Sequence, residues 1–483
     1  MNTQKILGFS VGPIATAALG LITVPLVAWV FTPEDVGRLY ILQVVISFSV
    51  LLFTLGLDQA YVREFYESPS QAVLLKNTFL PGVIFLAIAA VPAAALAEKL
   101  SYWLFGVASP FYFWATLGCV MAAFISRFLS LILRMQERAM AFSMSQVIPK
   151  AIFVVLIALI VLAGFPTHFL QLQFTLLVST VAVLLIYAWN THRQWIPALR
   201  ASVDIKQLRF MLGYSVPLIF AGLAYWGLSA TSALALRTLS SFRELGIYSV
   251  AMSVAGVAII FQSIFSVIWA PVVYKWAANG TDMSRVDRVA RQALAVVCGI
   301  FVLCGIFSWL ADYVLPSQYA AVKYLVMCSI AQPLLYTLSE VTGVGIGITR
   351  RTMLSLWSTV AALLANLVLN ILLVPSLGAS GAVIANALAY LVFFLARTES
   401  SAYVWRRLPW VRLYSFVIIA ISLSVLTVTF GPTTGNLYSV IWLAALFPVL
   451  WAFRNEVRTV IHLFQIKRRL QRERRRSKGS RED

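Results

Sequence analysis

Long apolar runs broken by short charged clusters dominate the 483-residue chain. Nineteen charge-free residues separate Arg38 from Asp58, 21 separate Lys76 from Glu98, 27 separate Lys99 from Arg127, and 27 separate Arg209 from Arg237. A helix needs about 20 apolar residues to cross the hydrocarbon core of a bilayer, so each interval predicts one span. Three longer intervals each predict two spans, divided at turn chemistry: AGFPTH at 163–168, VPSLGAS at 374–380 and GPTTGN at 431–436. The pattern predicts fourteen helices, near 6–31, 38–57, 77–97, 108–133, 141–164, 168–190, 210–236, 246–272, 290–311, 321–348, 353–374, 380–396, 411–430 and 437–453. Strands of a transmembrane barrel would alternate polar and apolar residues, and these runs do not. The expected fold class is an all-α polytopic membrane protein.

Composition agrees, with 61% apolar and 11% charged residues, where a soluble domain is about 25% charged. With a cytoplasmic N-terminus, 32 of the 37 bases fall on the cytoplasmic side, and only Arg38, Lys99, Arg237, Arg243 and Lys323 fall outside. The positive-inside rule then puts both termini in the cytoplasm with an even number of spans. The net charge of +19 is therefore first a signal of topology and gives little reason to expect a nucleic-acid partner. Residues 454–483 hold eleven bases against four acids. They read as a solvated basic tail, or as one that contacts anionic lipid headgroups. The four cysteines lie within apolar spans and read as small core residues. The first apolar run is too long for a cleavable signal and reads as an uncleaved span.

Self-comparison reveals a duplication. ILGFSVGP (6–13) resembles MLGYSVP (211–217), EDVG (34–37) resembles RELG (243–246), and ERAM (137–140) resembles RRTM (350–353), at offsets of 205, 209 and 213. Their shared order and small drift point to a repeated unit of six helices. An even number means both copies enter from one side, a parallel repeat with its axis along the membrane normal. The expected organisation is a first lobe over 1–190, a cytoplasmic linker over 191–209, a second lobe over 210–397, two extra helices over 398–453, and the tail.

No enzyme constellation is present: the three histidines fall in loops or tail, and no nucleotide loop, GxSxG or HExxH occurs. The chain reads as a non-enzyme without cofactor or metal site. The chemistry lies in charges embedded in apolar sequence, which are costly at depth and usually face a cavity or a partner. Glu340 is ten residues before Arg350, roughly 15 Å up a helix, and reads as an ion-pair, ion-coupling or cargo-contact carboxylate. Lys150 and Arg127 either snorkel to the rim or project between the lobes to bind an anion. Arg237 closes the seventh span on the outer side, without a topological reason for a base. Asn366 and Asn370 share one helical face and serve as interhelical glue or as hydrogen-bonding groups for sugars.

SVDIKQLRFMLGYSVPL (202–218), ELGIYSVA (244–251), GLDQAYVREFYE (56–67) and GITRRTMLSLWSTVAALLANLVLNILLVPSLGASGAVIANALAY (347–390) resemble the polysaccharide transporters of the multidrug/oligosaccharidyl-lipid/polysaccharide exporter superfamily, the O-antigen (Wzx-type) flippases. The resemblance implies two six-helix lobes in a V plus two added helices. It implies as cargo an undecaprenyl-diphosphate-linked oligosaccharide, moved between leaflets of a bacterial inner membrane, with polysaccharide polymerases as further partners. It also implies that Arg63 and Lys150 occupy positions where relatives carry a base. Relatives often have an acid–arginine pair late in the seventh helix, whereas here Leu236 precedes Arg237.

The mechanism expected is loading of the diphosphate onto Arg127, Lys150 and Arg63, followed by rocking of the lobes. Asp58 is expected to orient Arg63 at the mouth, or to cap its own helix as a local ion pair. A cation-coupled multidrug antiporter of the same fold is the alternative, although the first predicted helix carries no acid. A membrane glycosyltransferase or O-antigen polymerase would need a large outer loop, and none exceeds roughly fifteen residues.

Overall fold

The computed structural model describes residues 3–279, 284–407, 410–435 and 437–456. The tail expected to meet anionic lipid lies almost wholly outside the described residues. The first half forms α1 (Thr3–Val30), α2 (Pro33–Phe53), α3 (Leu57–Glu64), α4 (Gln71–Ala95), α5 (Ala97–Phe105), α6 (Pro110–Met135), α7 (Ala139–Leu162), α8 (Phe169–Asn190) and α9 (His192–Arg200). The second forms α10 (Ile205–Leu239), α11 (Phe242–Val254), α12 (Gly256–Ala278), α13 (Ser284–Phe307), α14 (Ala311–Val314), α15 (Val322–Ser329), α16 (Ala331–Thr342), α17 (Val344–Ile348) and α18 (Met353–Val404), followed by α19 (Trp410–Thr434) and α20 (Leu437–Ala452).

Every predicted span falls on a helix, and ten helices are long and apolar enough to cross a membrane by length and composition. The eighth and tenth predicted spans are broken where the pattern gave no signal, whereas the eleventh and twelfth join at the VPSLGAS turn that it marked. The eighth predicted span divides at Ala255 into α11 and α12, and the tenth divides into α15, α16 and α17. The eleventh and twelfth are joined in α18, where Gly378 has φ 54° and ψ −128°. There the chain reverses, since a Cβ on Gly381 would lie 2.5 Å from the Leu373 carbonyl oxygen.

α1 packs on α7, α6 on α8 and α2 on α6, while α10 packs on α18, α16 on α18 and α12 on α16, giving two bundles. α19 rests on α15 and α20 on α13. α20 is seated by Trp442, which is buried over Gly305, so one side of the added pair is covered by protein. The faces of the molecule are called here the basic face, where α1 begins and α9 lies, and the opposite face.

The duplication recurs in local geometry. Thr32 caps α2 by accepting from Asp35 N at 3.3 Å, and Ser241, 209 positions later, caps α11 by accepting from Glu244 N at 3.2 Å. Glu137 and Arg350, 213 positions apart, are non-glycine residues with φ of 55° and 59°. Each ends a helix in the same six-to-one bond, Arg138 N to Leu133 O and Arg351 N to Ile346 O, both 3.0 Å.

The bundles meet along the crossing of α2 and α11, whose contact is reciprocal. A Cβ on Gly37 would overlap the Phe242 carbonyl oxygen, and a Cβ on Gly246 would overlap that of Pro33. Since Pro33 and Phe242 are also 209 positions apart, each half offers the other the same surface, as in a two-fold interface.

Candidate functional site

A cavity of about 630 Å³ lies between α1, α2 and α7 of the first bundle and α10, α11, α12 and α16 of the second. Lys150, which follows Pro149 on α7, reaches it. Its Nζ donates to Thr16 O at 3.0 Å, lying 3.2 Å from where a Cβ on Gly20 would stand. Gly20 thus leaves the space the ammonium occupies. An ammonium has three donors, so two remain after this bond. Among the described residues that line the cavity, Lys150 is the one charged side chain, and no carboxylate stands beside it. The remaining polar lining comes from Thr16, Thr23, Tyr40 and Gln43 on one wall and Ser229, Ser249, Ser253, Ser263 and Gln332 on the other.

Arg127 and Arg63 are placed elsewhere, toward the basic face. Arg127 holds Asp58 Oδ2 from Nη2 at 2.5 Å and from Nε at 3.1 Å. Asp58 is buried, on α3, which the left-handed pair Leu55 and Gly56 introduces. The expectation that Asp58 orients Arg63 is therefore corrected: its carboxylate pairs with Arg127 across the bundle. The Arg63 guanidinium lies 4.4 Å over the Tyr214 ring of α10 and 3.7 Å from Glu64. Its stem points away from Asp58 because α3 turns residues 58 and 63 to different sides, five positions being about 140° of rotation.

Arg237 lies at the opposite face, donating to the carbonyl oxygens of Leu104 at 3.1 Å, Tyr102 at 3.3 Å and Trp103. Arg38 donates to the next carbonyl, Phe105, at 3.0 Å and to Asp35 at 2.7 Å. Both guanidiniums stack on Phe242, at 4.6 and 5.0 Å. Two arginines thus bind the last carbonyls of α5, which carry the negative end of its dipole.

Asn366 and Asn370 are fully buried. Asn366 donates to Leu228 O at 2.8 Å. Asn370 donates to Ser232 Oγ at 3.2 Å and to Asn366 Oδ1 at 2.7 Å. Both side chains bind α18 to α10. Glu340, on α16, accepts from Ser266 Oγ at 2.5 Å, and its backbone carbonyl accepts from Trp269 Nε1 at 3.1 Å. It lines a separate pocket of about 190 Å³ with Tyr274, Thr352, Ser355 and Arg397, whose guanidinium donates to Ser339 Oγ at 3.3 Å.

Reading charges along the chain brought out Lys150 but not the neutral polar residues around it. Ser249 and Ser253 are four apart and so share a helical face, a signal that small hydroxyl residues give only faintly in an apolar run.

Helices crossing between two faces, in two bundles related by duplication, define a two-lobed, multi-pass membrane protein of the kind seen in solved transporters. Lipid II flippase MurJ in an inward closed conformation shares the fold with a TM-score of 0.67 at 12% identity, covering 93% of this chain and 99% of that one. A multidrug resistance MATE family transporter of the MOP superfamily, in its inward-facing conformation, gives 0.57 at 17% identity over 81% and 98%. An outward-facing MATE transporter gives 0.50 at 16% identity over 85% and 96%. No match is found among curated proteins. The family described as polysaccharide biosynthesis protein matches residues 3–277, and the chain belongs to that family.

Proposed function

We propose that this protein is a flippase that moves an undecaprenyl-diphosphate-linked oligosaccharide, an O-antigen or related repeat unit, from the cytoplasmic to the periplasmic leaflet of a bacterial inner membrane. The observation that carries the reading is Lys150: an ammonium with two donors to spare, at membrane depth, in an inter-bundle cavity whose described lining holds no acid. An uncompensated cation there is costly unless the cargo supplies its counter-ion. A diphosphate does so while its polyprenyl chain stays in lipid. The basic face is cytoplasmic in this reading, and both termini lie on it.

The cavity is the same feature that disfavours a multidrug cation antiporter, for which acids in the first bundle are expected, since its described lining holds none. Family membership supports a role in polysaccharide assembly, and the fold shared with MurJ supports lipid-linked cargo. Arg63 and Arg127 serve in approach to the cavity rather than in its floor, with Arg63 free to leave the Tyr214 ring for a phosphate.

Lys150→Gln and Lys150→Glu are expected to abolish surface glycan at unchanged protein level, with Lys150→Arg retaining part of the activity. Flipping of a fluorescent polyprenyl-diphosphate glycan in vesicles checks this directly. Full activity of Lys150→Glu, or export of organic cations by a protein indifferent to the lipid diphosphate, overturns the reading.

A further inference from the structure

The wall of the cavity that faces Lys150 has a chemical polarity that follows from its hydrogen bonds. Ser249 Oγ donates to Gly246 O at 2.8 Å, Ser253 Oγ to Ser249 O at 2.8 Å, and Ser263 Oγ to Ile260 O at 2.9 Å. Ser229 Oγ donates to Tyr225 O at 3.1 Å. A carbonyl oxygen only accepts, so in all four bonds the serine proton is committed to the helix backbone. What these serines turn toward the cavity is oxygen lone pairs. The serines of this wall therefore favour groups that bring protons.

A sugar hydroxyl does so, since it donates and accepts. An ionised carboxylate only accepts, and would meet those lone pairs without a proton between them. It would also find no cation of its own: among the described lining residues the single positive charge is Lys150, on the first wall, and a diphosphate already exceeds it in charge.

We infer that the cavity discriminates by charge within the cargo, taking glycans of neutral, hydroxyl-rich sugars against the second wall and excluding glycans that carry carboxylates there. This rests on the reading of the protein as a flippase of lipid-linked oligosaccharide, and it names the class of glycan. Lys150 holds the anionic head and the serine wall reads the sugars. Gln332 Oε1 accepts from the buried Asn386 Nδ2 at 3.0 Å, so the amide nitrogen that this side chain gives the wall is a neutral donor that supplies no charge to offset a carboxylate.

The test is competition binding with the full-length protein in nanodiscs of neutral lipid. The probe is a fluorescent short-chain polyprenyl diphosphate bearing a neutral trisaccharide. The competitors are the same compound unlabelled and a version with one hexose replaced by a hexuronic acid. The acidic competitor is expected to bind at least about tenfold more weakly, as an unpaired charge at depth demands. Gln332→Lys supplies the missing cation and is expected to bring the two within about threefold of each other, whereas Lys150→Gln weakens both alike. Equal binding of the two glycans by the natural protein overturns the inference and leaves the flippase reading intact. Binding of neither compound overturns the flippase reading itself. A Gln332→Lys protein that discriminates as before overturns the role given to the serine wall.

Discussion

Asp58 and Arg127 are 69 positions apart and carry the two charges that an apolar neighbourhood tolerates least alone. Their pairing neutralises both, with Asp58 buried and Arg127 39% exposed on its side chain. Removing either partner strands the other, so Asp58→Asn and Arg127→Gln should each cost about 1–3 kcal/mol, below the range for a fully buried pair because Arg127 retains some solvent. A double-mutant cycle on thermal stability in detergent should show coupling of about 0.5–3 kcal/mol. Additive single effects would refute a pairwise role. Glu340 poses a different question, because its carboxylate accepts from Ser266 at 2.5 Å without occupying the main cavity. As a coupling group it predicts that transport by Glu340→Gln no longer responds to the proton gradient, measured in vesicles over a range of imposed gradients. A response equal to that of the natural protein assigns Glu340 to holding α12 against α16.

At the scale of helices, the duplicated glycines decide how closely the bundles approach. Gly37 and Gly246 each face a carbonyl oxygen of the other bundle at a distance no Cβ permits. Backbone carbonyls cannot swing aside as a long side chain can, so Gly37→Ala or Gly246→Ala forces α2 and α11 apart. Overpacking of this kind costs about 1–3 kcal/mol, and the two substitutions should give similar losses because the contact is symmetric. Markedly unequal melting temperatures would show that the crossing is not shared evenly. The same pair shows what the sequence made legible. The glycines stood out in the repeat, and each of the fourteen apolar runs falls on helix, ten of the resulting helices being long and apolar enough to cross a membrane, because a bilayer imposes length and apolarity on any segment crossing it. The break at Ala255, beside Gly256, and the division of the tenth span, just before Pro333 and at Gly343, were not legible, since Gly and Pro are tolerated inside membrane helices and whether they break one depends on what packs alongside. The site was legible in part for a similar reason. A lysine in an apolar run is visible as a cost, but whether a serine faces lipid, a neighbouring helix or a cavity is set by helix rotation within the assembled bundles. Asn366 and Asn370 illustrate this: the sequence placed them on one face, and packing turned that face to α10.

For the molecule as a whole, three sets of contacts tie the bundles together at the face opposite the basic one. The first is the α2 and α11 crossing. The second lies at the end of α1, where Trp29 Nε1 donates to Val314 O at 2.9 Å and Gln318 Nε2 donates to Ala28 O at 3.3 Å. The third is Arg237 of α10 on the carbonyl end of α5, with Phe242 between it and Arg38. The proposed alternating access requires a closed face whose contacts can be released, and these differ in how they can give way. The glycine crossing is backbone against backbone and suits a pivot, as it can rotate without separating. The arginine contact is a set of charge-assisted bonds from one flexible side chain to several carbonyls and suits a latch, since it can be broken in steps and reformed. As such a latch, Arg237 would act in gating rather than in holding cargo, in keeping with its bonds to the carbonyl end of α5. Arg237→Ala should shift the population toward opening at that face without weakening cargo binding. Spin labels at the exposed positions Tyr102 and Leu239 would then report a longer and broader distance distribution. Arg237→Lys, which keeps the charge and loses the fork that spans adjacent carbonyls, should lie between the two. An unchanged distance distribution, together with weakened binding of the lipid diphosphate, would return Arg237 to the cargo site.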